Sequence, residues 1–144
     1  MKIDQEYLKG LLIAFEDSNE PHTSITRLLA LGFDHRTNEF RFHIRLLHDR
    51  GLIGRVDGEY GIGYFSPGSD DQDDEGFFDE VPLRLTASGH DFLEAIRNKE
   101  VWATLKSGFK DASIGTLVTV SKELLNRALT KQLDKYCLLY TSPS

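Results

Sequence analysis

Asn38-Glu39-Phe40-Arg41-Phe42-His43-Ile44-Arg45-Leu46-Leu47-His48-Asp49-Arg50-Gly51-Leu52-Ile53-Gly54-Arg55-Val56-Asp57-Gly58-Glu59-Tyr60 changes its hydrophobic period at Gly51, and that change decides the fold. Before Gly51, Phe40, Ile44 and Leu47 recur at helical spacing, Asp34 or Thr37 is available as the N-cap, and Gly51 supplies a left-handed C-terminal turn. At about 100° per residue, Asn38, Arg41, Arg45 and His48 fall together about 80° to 160° away from Phe40. One face therefore packs and another is basic. Phe42 and Leu46 point to a third side, which predicts that the first helix and the C-terminal region cover two flanks. After Gly51, Leu52-Ile53-Gly54-Arg55-Val56 meets Glu59-Tyr60-Gly61-Ile62-Gly63-Tyr64-Phe65 across Asp57-Gly58, a dipeptide favoured in two-residue hairpin turns.

Upstream, Leu8, Leu11, Leu12 and Phe15 predict a helix from Asp4 to Asp17, with Asp4 as cap and Ser18-Asn19-Glu20-Pro21 as terminator. Residues 23–31 fit either a brief helix or a strand, closed by Gly32. Downstream, Val81-Pro82-Leu83-Arg84-Leu85 fits an edge strand, where proline is tolerated. Thr86 then caps a helix bearing Phe92, Leu93 and Ile96. A helical stretch with Val101, Trp102, Leu105 and Phe109 follows, then a break near Ser113 and a last helix with Leu117, Val118, Leu124, Leu125, Leu129 and Leu133. That stripe is to be buried, either on its own domain or against a second copy in a homodimer. Helix, short element, basic helix, hairpin and helix is the order of an α+β winged helix-turn-helix with a β-hairpin wing and additional C-terminal helices. Residues 1–97 form the expected winged-helix domain, an acidic loop at 66–80 is inserted after the hairpin, and residues 98–136 form a helical extension.

A chain of 144 residues suits one hydrophobic core. Apolar runs fall short of the roughly 20 residues a membrane span needs, and Met1-Lys2-Ile3-Asp4 lacks a signal-peptide core, so a cytoplasmic protein is expected. The net charge of -6 is uneven: Asp70, Asp71, Asp73, Asp74, Glu75, Asp79 and Glu80 lie together with no base among them, leaving 16 acids against 17 bases elsewhere. Outside that loop a DNA-binding surface is electrostatically open. The single cysteine, Cys137, begins Cys137-Leu138-Leu139-Tyr140-Thr141-Ser142-Pro143-Ser144, a string that one frame of a transposon-end sequencing adapter encodes. Residues 137–144 are read as adapter-derived, which removes thiol chemistry from consideration.

Arginine can pair bidentately with guanine and asparagine with adenine, so Arg36, Asn38, Arg41 and Arg45 are the candidate contacts to double-stranded DNA. His48 lies on the same face, and Arg55 in the wing is a candidate phosphate contact with Asp57 and Glu59 beside it. The alternative is a solvated or protein-binding face, with the acidic loop or the C-terminal helix as the surface for a protein partner. His43 and His90 read as packed structural histidines and Trp102 as a core anchor, because no ligand spacing accompanies them. Asp71-Gln72-Asp73-Asp74-Glu75-Gly76 begins like a calcium loop but has Pro82 where the bidentate glutamate belongs. Phe77-Phe78 within the acidic run also fits a docking peptide for a basic partner. Neither a nucleophile with its base, nor a phosphate-cradling loop, nor a metal cluster appears, so no enzyme, cofactor or metal site is expected.

Two segments carry a family resemblance: residues 38–53 quoted above, and Val81-Pro82-Leu83-Arg84-Leu85-Thr86-Ala87-Ser88-Gly89-His90-Asp91-Phe92-Leu93-Glu94-Ala95-Ile96-Arg97, with Val101-Trp102 after it. They resemble the bacterial and phage family called domain of unknown function 2513. The resemblance covers residues 1–136 and implies a small winged-helix protein of phage or prophage type but little about function; the basic helix before a hairpin is what makes a DNA-binding, transcription-regulating role the expectation. This chain departs from the family pattern in its acidic insertion and in the arginines of residues 38–50.

Overall fold

The computed structural model describes residues 1–65 and 76–140, with side chains through residue 137. Helix α1 (Gln5–Glu16) begins at Asp4, whose carboxylate accepts from the Tyr7 N–H at 3.1 Å, and buries Leu8, Leu11, Leu12 and Phe15 as the spacing predicts. Residues 23–31 use both alternatives. Thr23 exchanges two backbone hydrogen bonds with Leu83, at 2.7 and 2.8 Å, and Ser24 then caps the short helix α2 (Ile25–Ala30). Helix α3 (Asn38–Asp49) is capped by Thr37, whose hydroxyl accepts from the Phe40 N–H at 3.1 Å, while the Asp34 carboxylate is held by Arg36. Phe40, Ile44 and Leu47 are buried on α3, and His43 joins them. Gly51 has φ 68, which ends α3 in the left-handed region.

The expected hairpin across Asp57-Gly58 does not form. Strand β1 (Ile53–Arg55) pairs antiparallel with β4 (Leu83–Leu85), Ile53 opposite Leu85 and Arg55 opposite Leu83. Residues 64–65 instead form β2 (Tyr64–Phe65), paired with β3 (Phe77–Phe78). Two causes decide this. Gly58, Gly61 and Gly63 have φ 80, 98 and 79, which breaks any strand over 58–63. Pairing with β4 buries Leu83 and Leu85 to 0% and 4% exposure, each worth about 1.5 to 3 kcal/mol, whereas Tyr60 stays 89% exposed. Asp57-Gly58 still turns the chain, with the Gly58 N–H donating to the Arg55 carbonyl at 3.2 Å. Nor is β4 an edge strand, since β1 lies on one side and Thr23 on the other. Pro82 precedes the paired residues, and its carbonyl accepts from the Val56 N–H.

Helix α4 (Ala87–Arg97) is capped by Thr86, α5 (Lys99–Gly108) by Asn98, and α6 (Ile114–Tyr140) by Ser113, whose hydroxyl accepts from the Thr116 N–H at 3.2 Å. Leu11, Phe92, Val101, Leu105 and Leu117 belong to one core, so the C-terminal helices share the hydrophobic centre of α1 and α3. Trp102 is half-buried against that core, with the Lys9 ammonium 4.3 Å from its ring centre. The two segments that carry the family resemblance touch each other. Gly89 lies so close to the Leu52 carbonyl that an added Cβ would sit 2.0 Å from its oxygen, and the same carbonyl accepts from the Thr86 N–H at 3.0 Å. The result is an α+β fold of six helices and small antiparallel sheets among the described residues, and no helix there is long and apolar enough to cross a membrane.

Candidate nucleic-acid interface

The polar side of α3 is built as its wheel predicts. Phe40, Ile44 and Leu47 anchor the helix inward, leaving Asn38 and Arg45 exposed and Arg41 and His48 half-exposed. The Arg41 guanidinium donates to the Asn38 side-chain oxygen one turn away. The Arg45 guanidinium lies 4.7 Å above the centre of the Tyr64 ring, and the His48 ring meets Tyr60 edge-on at 5.0 Å. Asn38, Arg41 and Arg45 thus share one outward surface, flanked by the aromatic residues of 60–64.

The β2–β3 ladder is clamped to α3 by rings. Phe78 packs edge-on against Phe40 at 5.7 Å and against Tyr64 at 4.9 Å, and His35 closes the cluster 6.0 Å from Phe78. Phe65 and Phe77 point the other way and stack on each other at 5.7 Å, with 47% and 55% of their surfaces exposed. Sequence reasoning missed Tyr60, Tyr64 and Phe78 as neighbours of the basic face. Their signal was the alternation of aromatics in 60–65 and 77–78, which reads as a half-buried strand once β2 and β3 are known partners. Of the proposed docking pair Phe77-Phe78, only Phe77 faces outward. Residues 66–75, including the calcium-like loop Asp71-Gln72-Asp73-Asp74-Glu75, lie outside the described residues. Among those described, no group of three or more His, Cys, Asp or Glu could hold a metal ion.

Arg36 and Arg55 are held by their own neighbours. Arg36 grips Asp34 through two bonds of 2.9 and 3.1 Å, and the guanidinium lowers the Asp34 pKa to about 2 while the carboxylate raises that of Arg36. Arg55 grips Asp57 at 3.0 and 2.6 Å, with the same pair of opposed shifts, and its side chain is only 20% exposed. For either arginine to meet a phosphate, its ion pair must open or be shared. At the N-terminus of α2, hydrogen bonds from Thr26 and Ser24 lower the pKa of Glu80, so the acidic run ends attached to this helix.

His43 is structural. It is 1% exposed, its Nε2 accepts from the Asp4 N–H at 3.0 Å, and Nδ1 donates to the Glu39 carbonyl at 2.7 Å. That pattern assigns the neutral Nδ1–H tautomer and ties α3 to the cap of α1. Tyr7 stacks beside it with ring centres 4.8 Å apart, and burial together with the Glu39 charge pushes the Tyr7 phenol up to about 12. His90, expected to be packed, is exposed on α4. Phe42 and Leu46 are half-buried and line a cleft of about 290 Å³ with Ile3, from the segment before α1, and with Ala112 and Ile114 of the C-terminal region.

Comparison with known proteins places the chain in a family. Residues 2–115 match the model of the family described as Hypothetical protein (DUF2513), and the chain belongs to that family. It is similar to an uncharacterized protein of Haemophilus influenzae, at 27% identity over 136 residues that cover 92% of this chain and 99% of that protein. No solved structure matches it.

Proposed function

We propose that the protein is a winged-helix DNA-binding regulator of phage or prophage type, with α3 as the helix that enters the major groove. The observation that carries this reading is the outward surface of Asn38, Arg41 and Arg45 on a helix braced by a three-segment antiparallel arrangement. Thr23, β4 and β1 lie side by side in that order, and the chain from Val56 to Pro82 leaves and re-enters between β1 and β4. A winged helix is built in this way, with the excursion as its wing, so the reading survives the loss of the Asp57-Gly58 hairpin. Asn38 and Arg41 suit adenine and guanine edges, and Arg45 is a base or phosphate contact. Arg36, His48 and Arg55 flank that surface as phosphate contacts. The protein is non-enzymatic and works without a cofactor in the cytoplasm.

A second reading, a protein-interaction module on the same scaffold, is favoured by the exposed Phe65–Phe77 stack next to the acidic run and by the carboxylates that already occupy Arg36 and Arg55. A salt titration on random-sequence duplex DNA separates the two, with the Arg41→Glu/Arg45→Glu variant run in parallel. The DNA reading expects log K to fall linearly with log salt, at about 0.9 per phosphate neutralised, with a shallower slope and at least about tenfold weaker binding in the variant. A parent that leaves DNA unbound at low salt, or a variant that binds like the parent, turns the assignment to a protein partner.

A further inference from the structure

The first half of α6 is held by α4 and α5, but its second half is not. Leu129, Leu133 and Tyr136 are 42%, 62% and 54% exposed. Val118, Leu125, Leu129 and Tyr136 nevertheless continue one line, because 18 residues make five whole helical turns and Val118 and Tyr136 project in the same direction. The line is also symmetric about residue 127: Val118 and Tyr136 are equidistant from it, as are Leu125 and Leu129. Beside it runs a groove of about 310 Å³ between α4 and α6, walled by Asp91, Glu94 and Phe92 on α4 and by Val118, Leu125 and Leu129 on α6. At Leu129 this groove meets a wider cleft of about 890 Å³ under the second half of α6, where Glu100 of α5 faces Lys131 and Lys135.

We propose that a second copy of this chain occupies this surface, with the two α6 helices antiparallel about a twofold axis near residue 127. A self-complementary patch is what a twofold interface requires, and this stripe is its own complement only when reversed. In that register Val118 meets the partner's Tyr136 and Leu125 meets the partner's Leu129. Each body then covers the unsupported half of its partner's helix. The inference goes beyond the DNA reading and does not depend on what α3 contacts.

The test is sedimentation equilibrium of the full chain with Cys137→Ser, alone and carrying Leu129→Asp. A mass twice the 16.3 kDa chain is expected for the parent, and association at least about thirtyfold weaker for the variant, with the same helical circular dichroism. Register is read by cysteine crosslinking in the same background. Val118→Cys and Tyr136→Cys should each stay uncrosslinked alone, since like positions lie about 27 Å apart along an antiparallel pair, and should form a mixed disulfide dimer when combined. A parent that stays monomeric at 100-micromolar concentration, a Leu129→Asp chain that dimerises like the parent, or single-cysteine chains that crosslink to themselves would each overturn the proposal.

Discussion

Gly89→Ala is predicted to destabilise the fold even though alanine is the better helix former. Gly89 is the third residue of α4, and its N–H donates to the Thr86 capping hydroxyl at 3.1 Å. Replacement there gains up to about 1 kcal/mol of helix propensity. The new Cβ would stand 2.0 Å from the Leu52 carbonyl oxygen, a full ångström inside the closest approach real Cβ atoms make, and 3.2 Å from Leu85 Cδ2. The obstacle is backbone, so α4 must withdraw from the start of β1. Withdrawal stretches the Thr86 N–H bond to the Leu52 carbonyl, at 3.0 Å, and the Thr86 hydroxyl bond to the Gly51 carbonyl, at 2.5 Å. Overpacking costs about 1 to 3 kcal/mol and a weakened hydrogen bond about 1 more, so after the gain in propensity the expected net loss is about 1 to 3 kcal/mol. Urea unfolding followed by circular dichroism should show a lower midpoint with an unchanged slope, and the Tm should fall by roughly 3 to 10 °C. Gly108→Ala is the control: its Cβ would meet nothing within 4 Å, and it should leave stability unchanged or raise it by up to about 1 kcal/mol. A Gly89→Ala chain as stable as the parent would show that the contact between the two family segments is not close-packed and would refute the reasoning.

His43→Leu should cost about 1 to 3 kcal/mol in urea unfolding, because it leaves the Asp4 N–H without its partner and removes the ring's bond to the Glu39 carbonyl, and an unchanged midpoint would contradict the tautomer and its role. Tyr7→Phe removes a buried hydroxyl that has no hydrogen-bond partner among the described residues, so Tm should hold or rise slightly. The parent phenol stays protonated to about 12 when folded but ionises near pH 10 when unfolded, so stability must fall as pH rises through that window. The variant should lose that component of the alkaline decline, together with the last-titrating tyrosine at 295 nm. On the acid side, Asp34 and Glu80 keep their charge below the ordinary carboxylate range, so their stabilisation is present above about pH 4 and is lost as pH falls below it, for Asp34 toward about 2. Asp34→Asn and Glu80→Gln combined should flatten the acid limb of a Tm against pH curve, and an unaltered limb would remove these pairs from the acid response.

Helix positions and caps were legible because each is a local contest. Asp4, Thr37 and Thr86 are short side chains with an acceptor oxygen placed directly before an apolar helical period, and each accepts the N–H three residues on. The strand pairing was not legible, because it is a contest between distant segments. Asp57-Gly58 reads as a hairpin turn in isolation, and it does turn the chain. The pairing is nevertheless decided by Leu83 and Leu85, some 30 residues from Ile53, which can bury both side chains where the glycine-broken 58–63 segment cannot. Period 2 over three residues is too short a signal for that competition to be read from one side of it. Residues 23–31 were ambiguous for a related reason: one residue bridges to β4 and the next caps a helix, so no single period describes the stretch.

The candidate site divides along the same line. Which α3 residues face outward follows from 3.6 residues per turn and needed only the helix. What restrains them did not follow, because Asp34, Asp57, Tyr60 and Tyr64 act through turns and through a ladder whose other strand lies within the acidic insertion. These restraints change what the arginines can do. Arg36 and Arg55 meet any anionic partner already bound to a carboxylate, so their contribution to affinity is the difference between two ion pairs in water and is small. The Tyr64 ring, by contrast, leaves the Arg45 guanidinium charged while narrowing its rotamers, which lowers the ordering cost of placing it against a base edge or a phosphate. The basic surface is therefore less charged but better organised than its sequence suggests, and if the proposed DNA reading holds, Arg45→Ala should cost more affinity than Arg36→Ala or Arg55→Ala.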